Sequence, residues 1–115
     1  MSVSVSIIVP CYNVAAYLDQ CMESLTGQSM KDIEIICVND GSSDCTAEIL
    51  REWRNRDRRV RIIDQKNSGV SAARNSGMAA AAGTYIGFVD PDDMVERNMF
   101  QRLVTAAAEK EADVA

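Results

Sequence analysis

IEIICVNDGSSDCTAEILREWRNR, residues 33–56, contains one complete structural unit. From Ile33 to Val38 the run is apolar, rich in β-branched side chains and too short for a helix, so it reads as a buried strand. Asn39 to Asp44 is polar and holds an Asp-Gly dipeptide, a turn signal. From Asp44 to about Arg56 the period changes: Ala47, Leu50 and Trp53 share one helical face, with Ser43 or Asp44 placed to cap it.

The same alternation extends in both directions. Upstream, Val3–Val9 is strand-like and bounded by Pro10, and Val14, Leu18, Cys21, Met22 and Leu25 form a helical stripe. Downstream, Val60–Ile63 reads as a third strand, followed by an Ala-rich helix from Val70 to Ala82 that stops at Gly83. Tyr85–Val89 is a fourth strand. A last helix from about Glu96 to Glu109 carries Met99, Leu103 and Ala106 or Ala107 on one side, and Ala112–Ala115 resembles the start of a fifth strand. Strands alternating with helices predict an α/β fold with a mainly parallel sheet and right-handed crossovers.

Open sheets of this kind bind ligands at the carboxyl ends of their strands. Polar clusters follow all four strands: Pro10-Cys11-Tyr12-Asn13, Asn39 to Asp44, Asn67-Ser68-Gly69 with Arg74-Asn75, and Asp90-Pro91-Asp92-Asp93. All four are expected at one crevice. Three carboxylates within the last four residues repel one another unless a cation or donors compensate. Hard ions such as Mg²⁺ or Mn²⁺ prefer oxygen ligands and are commonly shared with phosphate. The other reading is a solvated acidic turn that caps the next helix, with Asp93 the member best suited to that structural task. Asp40 is placed either to accept from a base N–H or simply to make its turn. Tyr12 suits either stacking on a base or packing. Arg74 suits either phosphate and base contacts or a solvated helix surface.

Composition narrows the classes. The chain has 115 residues, 47% of them hydrophobic, which fits one domain with a packed core. Its net charge of −5 argues against nucleic-acid binding, which depends on neutralising phosphates. There is no histidine, which removes Ser-His-Asp and Cys-His catalysis and every His-containing zinc site. Cys11, Cys21, Cys37 and Cys45 show no CxxC pair, and Cys21 and Cys37 read as core thiols. No apolar run is long enough to span a membrane and no basic leader precedes Val3. The expectation is a cytoplasmic location, with peripheral attachment to the inner face of the membrane left open.

Three stretches in order, IIVPCYNVAAYLDQCMESLTGQS, DIEIICVNDGSSDCTAEIL and NSGVSAARNSGMAAAAGTYIGFVDPDD, closely resemble the N-terminal portion of family-two inverting glycosyltransferases of the GT-A fold. The resemblance covers essentially the whole chain. It implies a Rossmann-like three-layer α/β/α fold with strand order 3-2-1-4, truncated so that residues 1–115 are the nucleotide-sugar-binding part and the acceptor half is missing. Residues matching Pro10 and Tyr12 border the nucleotide base in that family. The match to Asp40 accepts from the base, and the match to Arg74 lies near the nucleotide. Asp90 and Asp92 match the DxD pair, Asp90 towards the ribose and Asp92 as the metal ligand for Mg²⁺ or Mn²⁺. The implied activity is transfer of a sugar from a nucleotide-diphosphate sugar, chiefly a UDP-sugar, to an acceptor hydroxyl, as in cell-surface polysaccharide synthesis. The implied acceptor is a carbohydrate or a lipid-linked molecule. The catalytic base in that family lies well downstream of the DxD, and no residue before Ala115 matches it. An isolated chain of this length is therefore expected to bind donor and metal without catalysis, and to self-associate through the uncovered fourth strand around Ile86 and Phe88.

A receiver-type signalling domain needs its acidic residues after the first strand, where this chain has Pro-Cys-Tyr-Asn. A DxD-dependent phosphatase needs most of its domain after the aspartate pair. A non-catalytic nucleotide-binding or interaction module is the remaining alternative, separated from an enzyme by an assay for sugar transfer or donor hydrolysis.

Overall fold

The computed structural model describes residues 3–92 and 96–109, with side chains described as far as residue 106 in the last helix. Its elements alternate: β1 (Val5–Cys11), α1 (Ala15–Thr26), β2 (Ile33–Asp40), α2 (Thr46–Arg56), β3 (Val60–Gln65), α3 (Val70–Ala80), β4 (Tyr85–Phe88) and α4 (Met99–Glu109). The four strands form one parallel sheet in the order β3-β2-β1-β4. Asp93 and the Ala112–Ala115 strand start lie outside the described residues.

β1 and β2 are buried along their whole length because helices cover both faces of the sheet. On one face Ile7, Val9, Ile35 and Cys37 pack with Leu18, Met22 and Leu25 of α1, Leu50 and Trp53 of α2, and Phe100 of α4. On the other, Ile36 and Val38 meet Ala73 of α3. That second layer is thin because α3 is built of small residues. A Cβ added at Gly77 would lie 2.5 Å from Cγ2 of Ile8, so helix and sheet are in direct contact there. Cys11, Cys21 and Cys37 are buried and Cys45 is exposed. The Cys37 thiol is pushed well up by neighbouring Cys11 and by burial, which suits a packing role.

Two predicted boundaries are corrected. Pro10 does not end the first strand: β1 continues to Cys11, with Pro10 opposite Val38. Alternate residues of a parallel strand bond to opposite neighbours. Ile8 accepts from Val89 on the β4 side, so Pro10 faces that side too, just beyond the last β1–β4 pair at Ile8 and Phe88. Its missing N–H costs the sheet no bond. The Ala-rich helix stops at Ala80 rather than Ala82, and Ala81 is already extended. Gly83 is thus not a helix cap. A Cβ there would meet the Ser6 backbone N at 2.7 Å.

The chain is drawn off the helix by a buried carboxylate. Glu34 on β2 accepts from Ser6 Oγ (2.5 Å), the Ala82 N–H (2.6 Å) and Arg61 (2.7 Å), while the Gly83 N–H donates to Ser6 Oγ (2.8 Å). Burial would raise the Glu34 pKa. The hydrogen bonds from Ser6, Ala82 and Arg61 outweigh it and hold the carboxyl below its ordinary range. This cluster fastens α3 and the start of β4 to the sheet at the end opposite the carboxyl rim.

Candidate functional site

In an all-parallel sheet every strand ends at the same rim, so Tyr12, Asp40 and the turn after β4 share it. Two of these loops are fastened together by side chains from the clusters that the sequence singled out. Oδ1 of Asn13 accepts from the Ser43 N–H (2.8 Å) and the Asp44 N–H (3.3 Å), while its own N–H donates to Ser42 Oγ (3.0 Å). Asn13 holds a φ of 50°, a left-handed conformation that asparagine tolerates better than most residues. Asp44 accepts from the Thr46 N–H at the start of α2 and from the Ala15 N–H at the start of α1, so one carboxylate serves two helix N-termini. The Thr46 hydroxyl lowers its pKa most, against desolvation, with the Thr46 and Ala15 N–H groups adding to the effect. The sequence offered Ser43 or Asp44 as the cap of the second helix; the N-cap position is instead Cys45, which makes no side-chain cap bond, and Asp44 reaches the first helical N–H from one residue outside it.

Asp40 closes the next pair of loops. Its Oδ1 accepts from Gln65 Nε2 (2.9 Å) and the Ser68 N–H (2.8 Å), and its Oδ2 accepts from the Gly69 N–H (2.9 Å). The Gln65 amide is the largest influence, opposing desolvation, and with the two backbone donors it holds the carboxyl below its usual range. A carboxylate offers about four acceptor positions, so three donors leave room for one more. Gly41, at φ 71°, brings the two turns together: a Cβ there would lie 2.7 Å from the Asn67 nitrogen.

Between these loops lies a cavity of about 240 Å³ lined by Pro10, Cys11, Tyr12, Asp40, Asn67, Gly69, Val70 and Ala73. Its walls are mostly apolar with Asp40 as the one ionised group, the composition of a small-molecule pocket. Tyr12 is half exposed at its mouth, free to present a ring face.

Arg74, Asp90 and Asp92 do not line this cavity. Arg74 pairs with Asp90 at 3.5 Å and lies 6.0 Å from the Phe88 ring centroid. Its Nε is buried and has no hydrogen-bond partner among the described residues. Asp92 is exposed in the turn after β4. Among the described residues no group of three His, Cys, Asp or Glu side chains converges as a metal-ligand set. The donor set fits a hard divalent ion only as a shared site, one carboxylate from Asp92 with phosphate oxygens and water supplying the rest.

Sequence reasoning thus named Pro10, Tyr12 and Asp40, placed Cys11, Asn67 and Gly69 at the same crevice without a role, and missed Val70 and Ala73 as its other walls. The Asn67-Ser68-Gly69 cluster was visible after the third strand but without an assigned task. Val70 and Ala73 carry no chemical signal at all. No helix among the described residues is long and apolar enough to cross a membrane.

The sequence profile described as Glycosyl transferase family 2 matches residues 6–115. Among curated proteins the chain is 53% identical over 110 residues to "Uncharacterized glycosyltransferase EpsJ" of Bacillus subtilis, covering 96% of the chain and 32% of that protein. It is 44% identical over 115 residues to "Glycosyltransferase GlyG" of Streptococcus pneumoniae, covering 99% of the chain and 38% of that protein. Among solved structures, S. aureus TarS 1-349 in complex with UDP-GlcNAc superposes with a TM-score of 0.88 at 28% identity, over 94% of the chain and 32% of TarS 1-349. The chain spans about a third of the length of these relatives.

Proposed function

From the premise that this chain belongs to glycosyl transferase family 2, we propose that it forms the donor side of an enzyme transferring a sugar from a UDP-sugar to an acceptor hydroxyl. The observation that carries the proposal is the cavity between Tyr12, Asp40 and Ala73, with one acceptor position of Asp40 still unused. Uracil offers an N3–H for that position and a flat face for Tyr12. The bound UDP-GlcNAc in TarS supports uridine as the base.

In this proposal Pro10 and Tyr12 flank the base, Asp40 accepts from it, Arg74 lies at the nucleotide, Asp90 faces the ribose and Asp92 is the ligand of a Mg²⁺ or Mn²⁺ ion. Bound there, the ion would offset the charge gained by the departing diphosphate as a Lewis acid. The protein's own contribution is positional. Three donors fix the Asp40 carboxylate before any ligand arrives, so no reorganisation is needed when the base binds. Arg74, with a buried Nε that has no hydrogen-bond partner among the described residues, supplies cationic charge beside Asp90 that limits repulsion between the acidic turn and an incoming diphosphate. A carbohydrate or lipid-linked acceptor, in cell-surface polysaccharide synthesis, belongs to the same proposal.

Titration of the purified chain with UDP and with GDP, each with and without Mn²⁺, tests this. UDP should bind more tightly than GDP, and Mn²⁺ should strengthen UDP binding. Asp92→Asn should lose the Mn²⁺ increment while keeping metal-free UDP affinity. An unchanged Mn²⁺ effect in Asp92→Asn removes Asp92 as the ligand, and absence of UDP binding removes the donor site altogether.

A further inference from the structure

The most strongly charged segment of the chain lies away from the cavity. Between Arg51 and Arg61 six arginines meet two carboxylates, Glu52 and Asp57, although the whole chain has a net charge of −5 and only 12 cationic side chains. Half of its positive charge is gathered in eleven residues. Three of these arginines are engaged. Arg59 holds Asp57 and the Thr26 carbonyl, Arg61 holds Glu34 and the Ala80 carbonyl, and Arg56 lies 4.9 Å from the Trp53 ring centroid.

The side chains of Arg51, Arg54 and Arg58 are exposed and make no hydrogen bond or ion pair among the described residues. At 3.6 residues per turn, Arg51 and Arg54 fall on one flank of α2, beside the core-facing Leu50 and Trp53. Arg58 follows in the turn before β3. Glu48 and Glu52 lie on the outward face of α2, Glu48 about 60° from Arg51 and Glu52 about 160° from Arg54, so the cationic excess is concentrated at Arg54 and Arg58. α2 begins at the carboxyl rim and runs back to the start of β3, so Arg54 and Arg58 stand at the end of the sheet opposite the cavity.

We propose that this arginine flank is a docking surface for a bilayer bearing anionic phospholipid headgroups. Charge complementarity supports a polyanionic partner. A folded protein partner is disfavoured, since such interfaces form around an apolar centre. The exposed large hydrophobic side chains of the described residues all lie outside residues 46–61. A planar bilayer also touches only one face of the protein, and contact at the α2–β3 end leaves an acidic remainder, the rim of Asp40, Asp44, Asp90 and Asp92, at the far end of the sheet. A flexible polyanion would meet that acidic remainder. Docked in this way, the protein keeps its nucleotide cavity open to the solution from which a donor arrives.

Flotation of the purified chain with two kinds of vesicle tests the proposal, one of pure phosphatidylcholine and one containing about one-third phosphatidylglycerol. Binding is expected to the anionic vesicles alone, and to fall more than about tenfold between roughly 50 mM and 500 mM NaCl. At about fivefold per arginine near an anionic surface, the triple variant Arg51→Gln/Arg54→Gln/Arg58→Gln should bind about a hundredfold more weakly. Its circular dichroism spectrum and UDP titration, which serve as controls for folding, should match the parent. Equal binding to both kinds of vesicle, no binding to either, an undiminished triple variant, or tighter binding to duplex DNA than to anionic vesicles at the same salt overturns the assignment.

Discussion

Gly77 is the residue on which the helix and the sheet meet most closely, and Gly77→Ala should destabilise the protein despite improving the helix. Alanine in the interior of a helix is favoured over glycine by about 0.8–1.0 kcal/mol. The added Cβ, however, would lie 2.5 Å from Ile8 Cγ2 and 3.1 Å from its Cγ1. Ile8 is fully buried in β1, held between β2 and β4, and a β-branched side chain has few rotamers to escape into. Overpacking of one methyl in such a place costs about 1–3 kcal/mol. The balance is a loss of up to about 2 kcal/mol, or a fall in Tm of up to about 8 °C for a domain of this size. Ala73 stands one helical turn earlier on the same face and lines the cavity, so a helix pushed outward should also weaken nucleotide binding. Urea denaturation of a double-mutant cycle isolates the contact. In the Ile8→Ala background the clash is gone, and the same Gly77→Ala change should stabilise by about 1 kcal/mol. A substitution with the same sign and size in both backgrounds would show that helix and sheet do not touch at this point.

Asp40→Asn places an NH₂ against donors that now meet a carboxylate oxygen, so UDP affinity should fall by about tenfold to a hundredfold, read by calorimetry. Faster amide exchange at Ser68 and Gly69 in the same variant would confirm that Asp40 also orders their turn. Asn13→Ala removes the acceptor of two backbone N–H groups and forces a left-handed φ on alanine, for an expected loss of about 1–2 kcal/mol in urea unfolding. Asn13→Gly, free of the steric penalty, should lose less. Glu34 has a folded pKa below its ordinary 4.5, so its contribution to stability is present above that value and lost as pH falls through the folded one. Glu34→Gln should therefore be less stable at neutral pH and show a shallower loss below about pH 4.5. An acid limb identical to the parent's would refute the role of the Glu34 cluster.

The strand order and the common rim were legible because they follow from local patterns: a change of hydrophobic period at each βα boundary, repeated four times, together with a family resemblance that fixes the order. What stayed hidden depends on residues far apart in sequence. Whether Pro10 ends a strand is decided by where β4 stops, almost eighty residues later. The end of α3 is set by Glu34 drawing in the Ala82 N–H, a competitor invisible from the Ala-rich run itself. Asn13 and Asp44 were visible as polar rim residues, yet nothing local distinguishes a side chain that fastens two loops from one that awaits a ligand. That distinction lies in contacts about thirty residues apart.

The rim is consequently of two kinds. Asp40 is held by three donors from the β3–α3 connection, and the loops on either side of it are cross-bonded or in direct contact, so the base end of the cavity exists before a ligand does. The acidic turn after β4 is tied down far less. Among the described residues the Asp90 side chain is held by an ion pair to Arg74 at 3.5 Å, between side chains that are each about half exposed, a geometry worth little in water. A ligand that recruits Arg74 or Asp90 therefore meets almost no resistance from the pair it breaks. Affinity should then be governed by how well a base fits the fixed end, while the phosphate end adapts to whatever charge and metal arrive with it.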